Sequence, residues 1–153
     1  MFINLLIGTL MMVLNLGIQV LAISFLIRHF NQRIGTHKAM PGSGKDIRSL
    51  GTTMAVLFAG HIFQFATWGT LFLALGEFTT FEEAFYHSTV NFTSLGYGDI
   101  VMSEGYRLLG ALEAANGVLM FGLSAGTILS VMNVLFGRHQ RVAHLKDKLT
   151  SQK

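Results

Sequence analysis

The stretch Phe92-Thr93-Ser94-Leu95-Gly96-Tyr97-Gly98-Asp99 decides how the chain is read. Two glycines flank a tyrosine, hydroxyl residues precede them and a carboxylate follows. Alone, such a string fits an ordinary polar turn. Its setting argues otherwise. One long apolar run ends at Gly76, a short amphipathic segment leads into the string, and another long apolar run begins at Tyr106. Irregular backbone at membrane depth is tolerated only where it is buried in protein or lines a water-filled cavity. Glycine permits the positive φ angles that turn successive carbonyls toward one axis. The string therefore reads as a re-entrant loop.

Composition agrees. The 153 residues favour one domain. Mean hydropathy is +0.51 and charged residues make up 12%, against about 25% in a soluble domain. The chain has no cysteine, so neither a disulfide framework nor a thiolate metal site is available. Seventeen glycines against one proline suit close helix packing better than disorder.

Working outward, residues 2–27 and 50–76 contain no Asp, Glu, Lys or Arg. As helices each reaches about 40 Å, enough to cross a ~30 Å hydrocarbon core. A signal peptide would want basic residues before the first run, whereas Arg28 and Arg33 follow it. Asn4, Asn15 and Gln19 within it are read as helix-to-helix hydrogen-bonding groups. His61 and Gln64 lie in the second run, with Trp68 beyond them. An intramembrane ionisable residue is a functional candidate, but a neutral His61 bonded to a neighbouring helix is the preferred reading. No arginine ladder of the voltage-sensing kind is present.

Between these runs, residues 28–49 hold Arg28, Arg33, Lys38, Lys45 and Arg48 against Asp46. Pro41-Gly42-Ser43-Gly44 predicts a turn. Gly44-Lys45 is not a phosphate loop, because the required flanking Gly and Ser/Thr positions hold Ala39 and Asp46. A short basic loop stays cytoplasmic and suits contact with anionic lipid.

Thr80-Phe81-Glu82-Glu83 predicts a capping box and a helix over 81–93, about 20 Å long and too short to span. Its acids suit the positive end of the helix dipole, and its negative end would favour a cation at the membrane centre. Tyr106 to Phe136 is long enough to cross. Glu113 is the only carboxylate inside an apolar run. It is expected to pack behind the loop against the short helix, near His87 or Thr89, or to be a neutral acid making one structural hydrogen bond. Val118, Phe121, Ala125, Leu129 and Asn133 share one face with Gly117, and Gly122 and Gly126 form a Gly-x-x-x-Gly pair. Val142, Leu145 and Leu149 in the basic tail predict either a short amphipathic helix or a solvated tail. Ten of the eleven basic residues lie in 28–49 and the tail, while Glu77, Glu82, Glu83, Asp99 and Glu104 surround the loop. The loop and the N-terminus are therefore expected outside, and the C-terminus in the cytoplasm.

Residues 81–100 resemble the pore helix and selectivity filter of the potassium-channel superfamily, whose usual filter is Thr-Val-Gly-Tyr-Gly-Asp. Ser94-Leu95-Gly96-Tyr97-Gly98-Asp99 is especially similar to the Leu-Gly-Tyr-Gly-Asp filters of small bacterial channels. There an Ala-aromatic-Tyr-x-Ser run comes first, as in Ala84-Phe85-Tyr86-His87-Ser88. The segment from Arg107 to Gly117 resembles the start of the inner helix in the same channels. Ser94 in place of Thr keeps a hydroxyl but loses a methyl group. Leu95 replaces Val. The proline common after the filter is missing from Val101-Met102-Ser103, which leaves the shape of the outer mouth open.

The resemblance implies an all-α membrane protein with three transmembrane helices, a re-entrant pore helix and a filter loop, assembled as a homotetramer. The expected parts are an extra N-terminal helix (1–27), a cytoplasmic basic loop (28–49), a pore module (50–137) and a cytoplasmic tail (138–153). Within the module the expected elements are an outer helix (50–76), pore helix (81–93), filter (94–99) and inner helix (105–137). It implies passive conduction of K+, held mainly by backbone carbonyls of Ser94, Leu95, Gly96, Tyr97 and Gly98. Thr93, Asp99, Glu113, Gly117 and Asn133 are the support and gating candidates. Gly117 is placed as a gating hinge, with close packing as the equal alternative. Membrane lipid is an expected partner, nucleic acid is not, and a bacterial inner membrane is the expected location. A nonconducting subunit that assembles with or regulates a partner channel is the alternative. An intramembrane enzyme would need a nucleophile–base pair or a metal cluster, and the sequence offers neither.

Overall fold

The computed structural model describes residues 1–34 and 43–150. Their regular elements are four helices: α1 (Phe2–Ile34), α2 (Ser43–Ala74), α3 (Phe81–Phe92) and α4 (Arg107–Thr150). The spans Phe2–Phe30, Asp46–Ala74 and Arg107–Gly137 are long and apolar enough to cross a membrane. With 12 residues, α3 reaches only about 18 Å and cannot.

Each long helix runs past the boundary read from hydropathy. α1 continues through Arg28 to Ile34, and α2 begins at Ser43 rather than near residue 50. The expected basic loop is thus helical at both ends. Helix hydrogen bonding does not stop where the side chains become polar. Pro41 and Gly42 of the predicted turn lie outside the described residues. α4 is likewise one helix of 44 residues through Thr150, not an inner helix with a separate tail. After Gly137 the chain offers no Gly or Pro to end it. The side chains of the tail are outside the described residues.

Local chemistry sets the ends that matter for the loop. α2 closes on Gly76, whose φ is +75°. The amide of Gly76 bonds the Leu73 carbonyl at 3.0 Å and that of Glu77 bonds the Phe72 carbonyl at 3.1 Å. This is the paired-bond ending that glycine allows at a helix C-terminus. Thr80 caps α3 by accepting from the Glu83 amide at 3.2 Å. Only this arm of the predicted box forms. The Glu83 carboxylate instead accepts from Thr79 Oγ1 at 3.1 Å.

α1 and α4 run parallel, with α2 antiparallel to both. Asn4 Nδ2 donates to the Gly105 carbonyl at 2.6 Å, and Gln19 Nε2 donates to Ser124 Oγ at 2.9 Å. From α2, Gln64 Nε2 donates to the Asn15 carbonyl at 3.1 Å. Such interhelical bonds contribute about 0.6–2 kcal/mol each in a bilayer, where helices gain little from apolar burial alone.

α3 is wedged between α2 and α4. Trp68, Phe72, Phe92 and Leu109 are fully buried around it, with Met11 of α1 joining the same core. Two glycines allow the approach. A Cβ on Gly69 would lie 3.1 Å from Phe85 Cα, and one on Gly117 would lie 1.8 Å from the Phe92 carbonyl oxygen. Away from α3, an apolar crevice of about 510 Å³ opens between α1 and α4, bounded by Leu26, Phe30, Ser49, Gly122, Gly126 and Leu135. The Gly122–Gly126 pair faces this space and meets no neighbour within 4 Å. Gly69→Val should force α2 from α3 and lower stability by about 1–3 kcal/mol, the usual cost of overpacking. Thermal unfolding in detergent micelles reads this directly, and Gly17→Val, at an open position, is the matched control.

Candidate functional site

The loop 93–100 is built by the end of α3. The amides of Thr93 and Ser94 bond the carbonyls of Thr89 (3.1 Å) and Asn91 (2.8 Å). Those of Leu95 (3.0 Å) and Gly96 (3.5 Å) both turn back to the Val90 carbonyl. The helix end is thereby satisfied by the loop itself. The carbonyls of residues 94–98 accept no hydrogen bond among the described residues. Ser94, Gly96 and Gly98 have φ of 57°, 62° and 73°, and they alternate with Leu95 and Tyr97, whose φ is negative. Alternation of positive and negative φ lets successive carbonyls be turned toward one side. Glycine takes the left-handed state without strain. Ser94 is the only described non-glycine residue there, at a cost of roughly 1–2 kcal/mol.

Side chains pin the loop at its outer end. Tyr86 Oη donates to Asp99 Oδ2 at 2.7 Å. This bond, first among the causes, holds the Asp99 carboxyl below the usual carboxylate range. His87 Nδ1–H donates to the Ile100 carbonyl at 3.1 Å, and its Nε2 accepts from Asn91 Nδ2 at 2.8 Å, which fixes its tautomer. Glu77 uses both carboxylate oxygens on one residue, accepting from the Ser103 amide and from Ser103 Oγ, each at 2.7 Å. This clamp fastens the segment that follows the loop to the end of α2.

Behind the loop, fully buried Glu113 meets Ser88 of α3, not His87 or Thr89. Ser88 Oγ sits between Glu113 Oε1 and the Phe65 carbonyl, 2.9 Å from the latter. One hydroxyl hydrogen cannot serve both acceptors. Both contacts of Ser88 become hydrogen bonds when the carboxyl carries the proton and donates to Ser88, which donates to Phe65. A charged side chain at this depth would cost on the order of 3 kcal/mol.

The remaining candidates fall into two groups. Gly117 is packed against the Phe92 carbonyl, so the close-packing alternative describes its surroundings. It supports the base of the loop. Val118, Ala125, Leu129 and Asn133 lie on an exposed side of α4, and Phe121, on the same side, also packs against His61 of α2 and Phe92 of α3. Thr93 Oγ1 bonds back to the Thr89 carbonyl at 2.8 Å. Glu77, Tyr86, Ser88 and Asn91 were missed as supports. Only Tyr86 and Ser88 carried any signal, as members of the quoted run before the filter. His61, predicted to bond a neighbouring helix, approaches Ser124 of α4 at 3.0 Å.

A half-length capped helix leading into a glycine-bearing loop of unbonded carbonyls between two spanning helices is the arrangement of a pore loop. A family model described as ion channel matches residues 51–133, more than half of the chain. The chain belongs to the ion channel family. This ion channel chain is also similar to the A-type voltage-gated potassium channel KCND3 of Rattus norvegicus, Oryctolagus cuniculus and Homo sapiens. Each is 28% identical over 102 residues, which cover 66% of this chain and 14% of the relative. No solved structure matches the channel chain. The family match starts within α2 and ends within α4, so α1 lies outside it.

Two substitutions test the supports. Glu113→Gln keeps a donor toward Ser88 and should leave thermal stability nearly unchanged, while Glu113→Ala should lower it by about 1–3 kcal/mol. Tyr86→Phe removes the donor that stabilises the Asp99 carboxylate. The Tyr86–Asp99 bond persists above the lowered carboxyl pKa and is lost as pH falls through it. In Tyr86→Phe the Asp99 titration should therefore move to higher pH, as isotope-edited infrared spectroscopy would register.

Proposed function

We propose that four copies of the chain surround one axis and form a potassium-selective channel, each contributing Ser94-Leu95-Gly96-Tyr97-Gly98. One loop cannot enclose an axis, and the exposed carbonyl run needs partners to complete a ring. K+ enters by exchanging its hydration shell for carbonyl oxygens and leaves because successive sites are weak and closely spaced. The C-terminal end of α3 adds negative potential at mid-membrane. Acids around the mouth raise the local cation concentration in a salt-dependent way. The exposed face of Val118, Phe121, Ala125, Leu129 and Asn133 lines the inner cavity. The N-terminus and filter lie outside, the C-terminus in the cytoplasm of a bacterial cell, and the basic ends of α1 and α2 meet the lipid headgroups.

The observation that carries this reading is the alternation of positive φ at Ser94, Gly96 and Gly98 directly after the capped α3. Purified protein in liposomes with potassium on one side and sodium on the other should give a reversal potential near the potassium equilibrium value. A reversal at zero would sink the selectivity. Gly96→Ala burdens each filter with a left-handed alanine, at about 1–2 kcal/mol per copy, and should abolish the selective current.

A further inference from the structure

The extra helix α1 meets the inner helix through a closed ring of hydrogen bonds. Gln19 Nε2 of α1 donates to Ser124 Oγ of α4 at 2.9 Å. Ser124 Oγ stands 3.0 Å from His61 Nε2, and His61 Nδ1 stands 2.8 Å from Gln64 Oε1, both on α2. Gln64 Nε2 donates to Gln19 Oε1 at 3.2 Å and closes the circuit. The Gln64 amide must present its oxygen to His61, since its nitrogen serves Gln19 and the Asn15 carbonyl. His61 Nδ1 is then the donor and Nε2 the acceptor, so the Ser124 hydroxyl donates to Nε2. Every bond runs in one sense: Gln19 to Ser124 to His61 to Gln64 to Gln19. Each member of such a ring polarises the next.

Its surroundings keep it dry. Gln19 and Gln64 are fully buried, and His61 and Ser124 nearly so. The His61 ring lies among those of Phe65, Phe92 and Phe121, with centroids at 6.5, 6.1 and 4.7 Å. Nothing in apolar surroundings replaces a lost partner.

The position of the ring on α4 gives it a consequence. Ser124 lies two turns beyond Gly117, about 10 Å along the helix. Asn4 ties α1 to Gly105 before the start of α4. α1 thus grips the inner helix on both sides of the glycine that touches the filter base. Displacing the inner half of α4 relative to its outer half breaks both bonds of Ser124, while the Asn4 bond survives.

We propose that α1 is a built-in gating brake: the Gln19–Ser124–His61–Gln64 ring holds the inner half of α4 in place, and pore opening requires its release at Ser124. The proposal rests on the channel reading above. It gives a task to the helix that the family match leaves out.

Single-channel recording from reconstituted protein tests it. Ser124→Ala and Gln19→Leu should each raise open probability at least severalfold, leaving unitary conductance and reversal potential unchanged. The double substitution should add little to either single one, because one broken bond already opens the ring. Ser124→Thr keeps the hydroxyl and should restore the original behaviour. Asn4→Ala weakens α1 docking at the other end and should leave open probability unchanged. Equal open probability in Ser124→Ala and the parent would overturn the brake. So would an Asn4→Ala effect as large as that of Ser124→Ala, which would mean simple loss of α1 docking.

A second readout does not depend on current. The chain has no cysteine, so single Leu129→Cys spin labels report the inner half of α4 by pulsed electron resonance. Distances between labels should broaden and lengthen in Ser124→Ala. Unchanged distances would overturn the brake even if no protein conducted, a result that by itself would count only against the channel reading.

Discussion

The last four backbone carbonyls of α3 have no partners within the helix. The fold meets that demand by bending residues 93–96 back onto the helix's own last carbonyls, two of them onto Val90. Once the amides face inward to the helix, the following carbonyls face away from it. Positive φ then recurs at Ser94, Gly96 and Gly98 along the loop. In a bilayer this solution stands only if something else encloses the loop. The packing of the other helices follows from that requirement.

Enclosure comes from contact without side chains. Gly69 and Gly117 let α2 and α4 approach α3 at backbone distance, one near its start and one at its end. The aromatic core around Phe72 and Phe92 fills what remains. Polar side chains are spent where a bond fixes direction: Tyr86 on Asp99, His87 on Ile100, Glu77 on Ser103. Ser88 and Glu113 brace the middle of α3 from behind. The geometry of loop 93–100 is therefore held by neighbours on three elements and not by its own residues alone.

Much of this was legible from local pattern. Long apolar runs announced three spanning helices. Thr80 followed by Glu83 located the start of α3 to the residue, and the two glycines marked where φ turns positive. Helix ends were less legible, because Arg, Lys and Gln sustain a helix as readily as Leu does; hydropathy reports the membrane, not the hydrogen-bond ladder. Partner choices were the least legible. Glu77 and Ser103 stand 26 positions apart and Gln19 and Ser124 stand 105 apart. No periodicity within one helix encodes such pairs. Glu113 shows the intermediate case: its isolation in an apolar run predicted a partner on α3, but the choice of Ser88 over its neighbours depends on helix rotation. Gly117 could be placed in sequence, yet its contact with the Phe92 carbonyl needed the crossing of α3 and α4.

Because α3 stops halfway, the molecule is not equally stiff along its length. At the end that holds α3 four helices share one core, closed by aromatic rings and by loop clamps. On the other side three helices remain, and between two of them lies a 510 Å³ crevice lined by Leu26, Phe30, Gly122 and Gly126. Compliance is thus concentrated in the half without α3, at the glycine-bearing stretch of α4. The Gln19–Ser124 ring sits at the border of the two halves. Strain entering from the end without α3 reaches the rigid half through that border, so the same geometry that preserves the loop leaves the far half of α4 the part most able to yield.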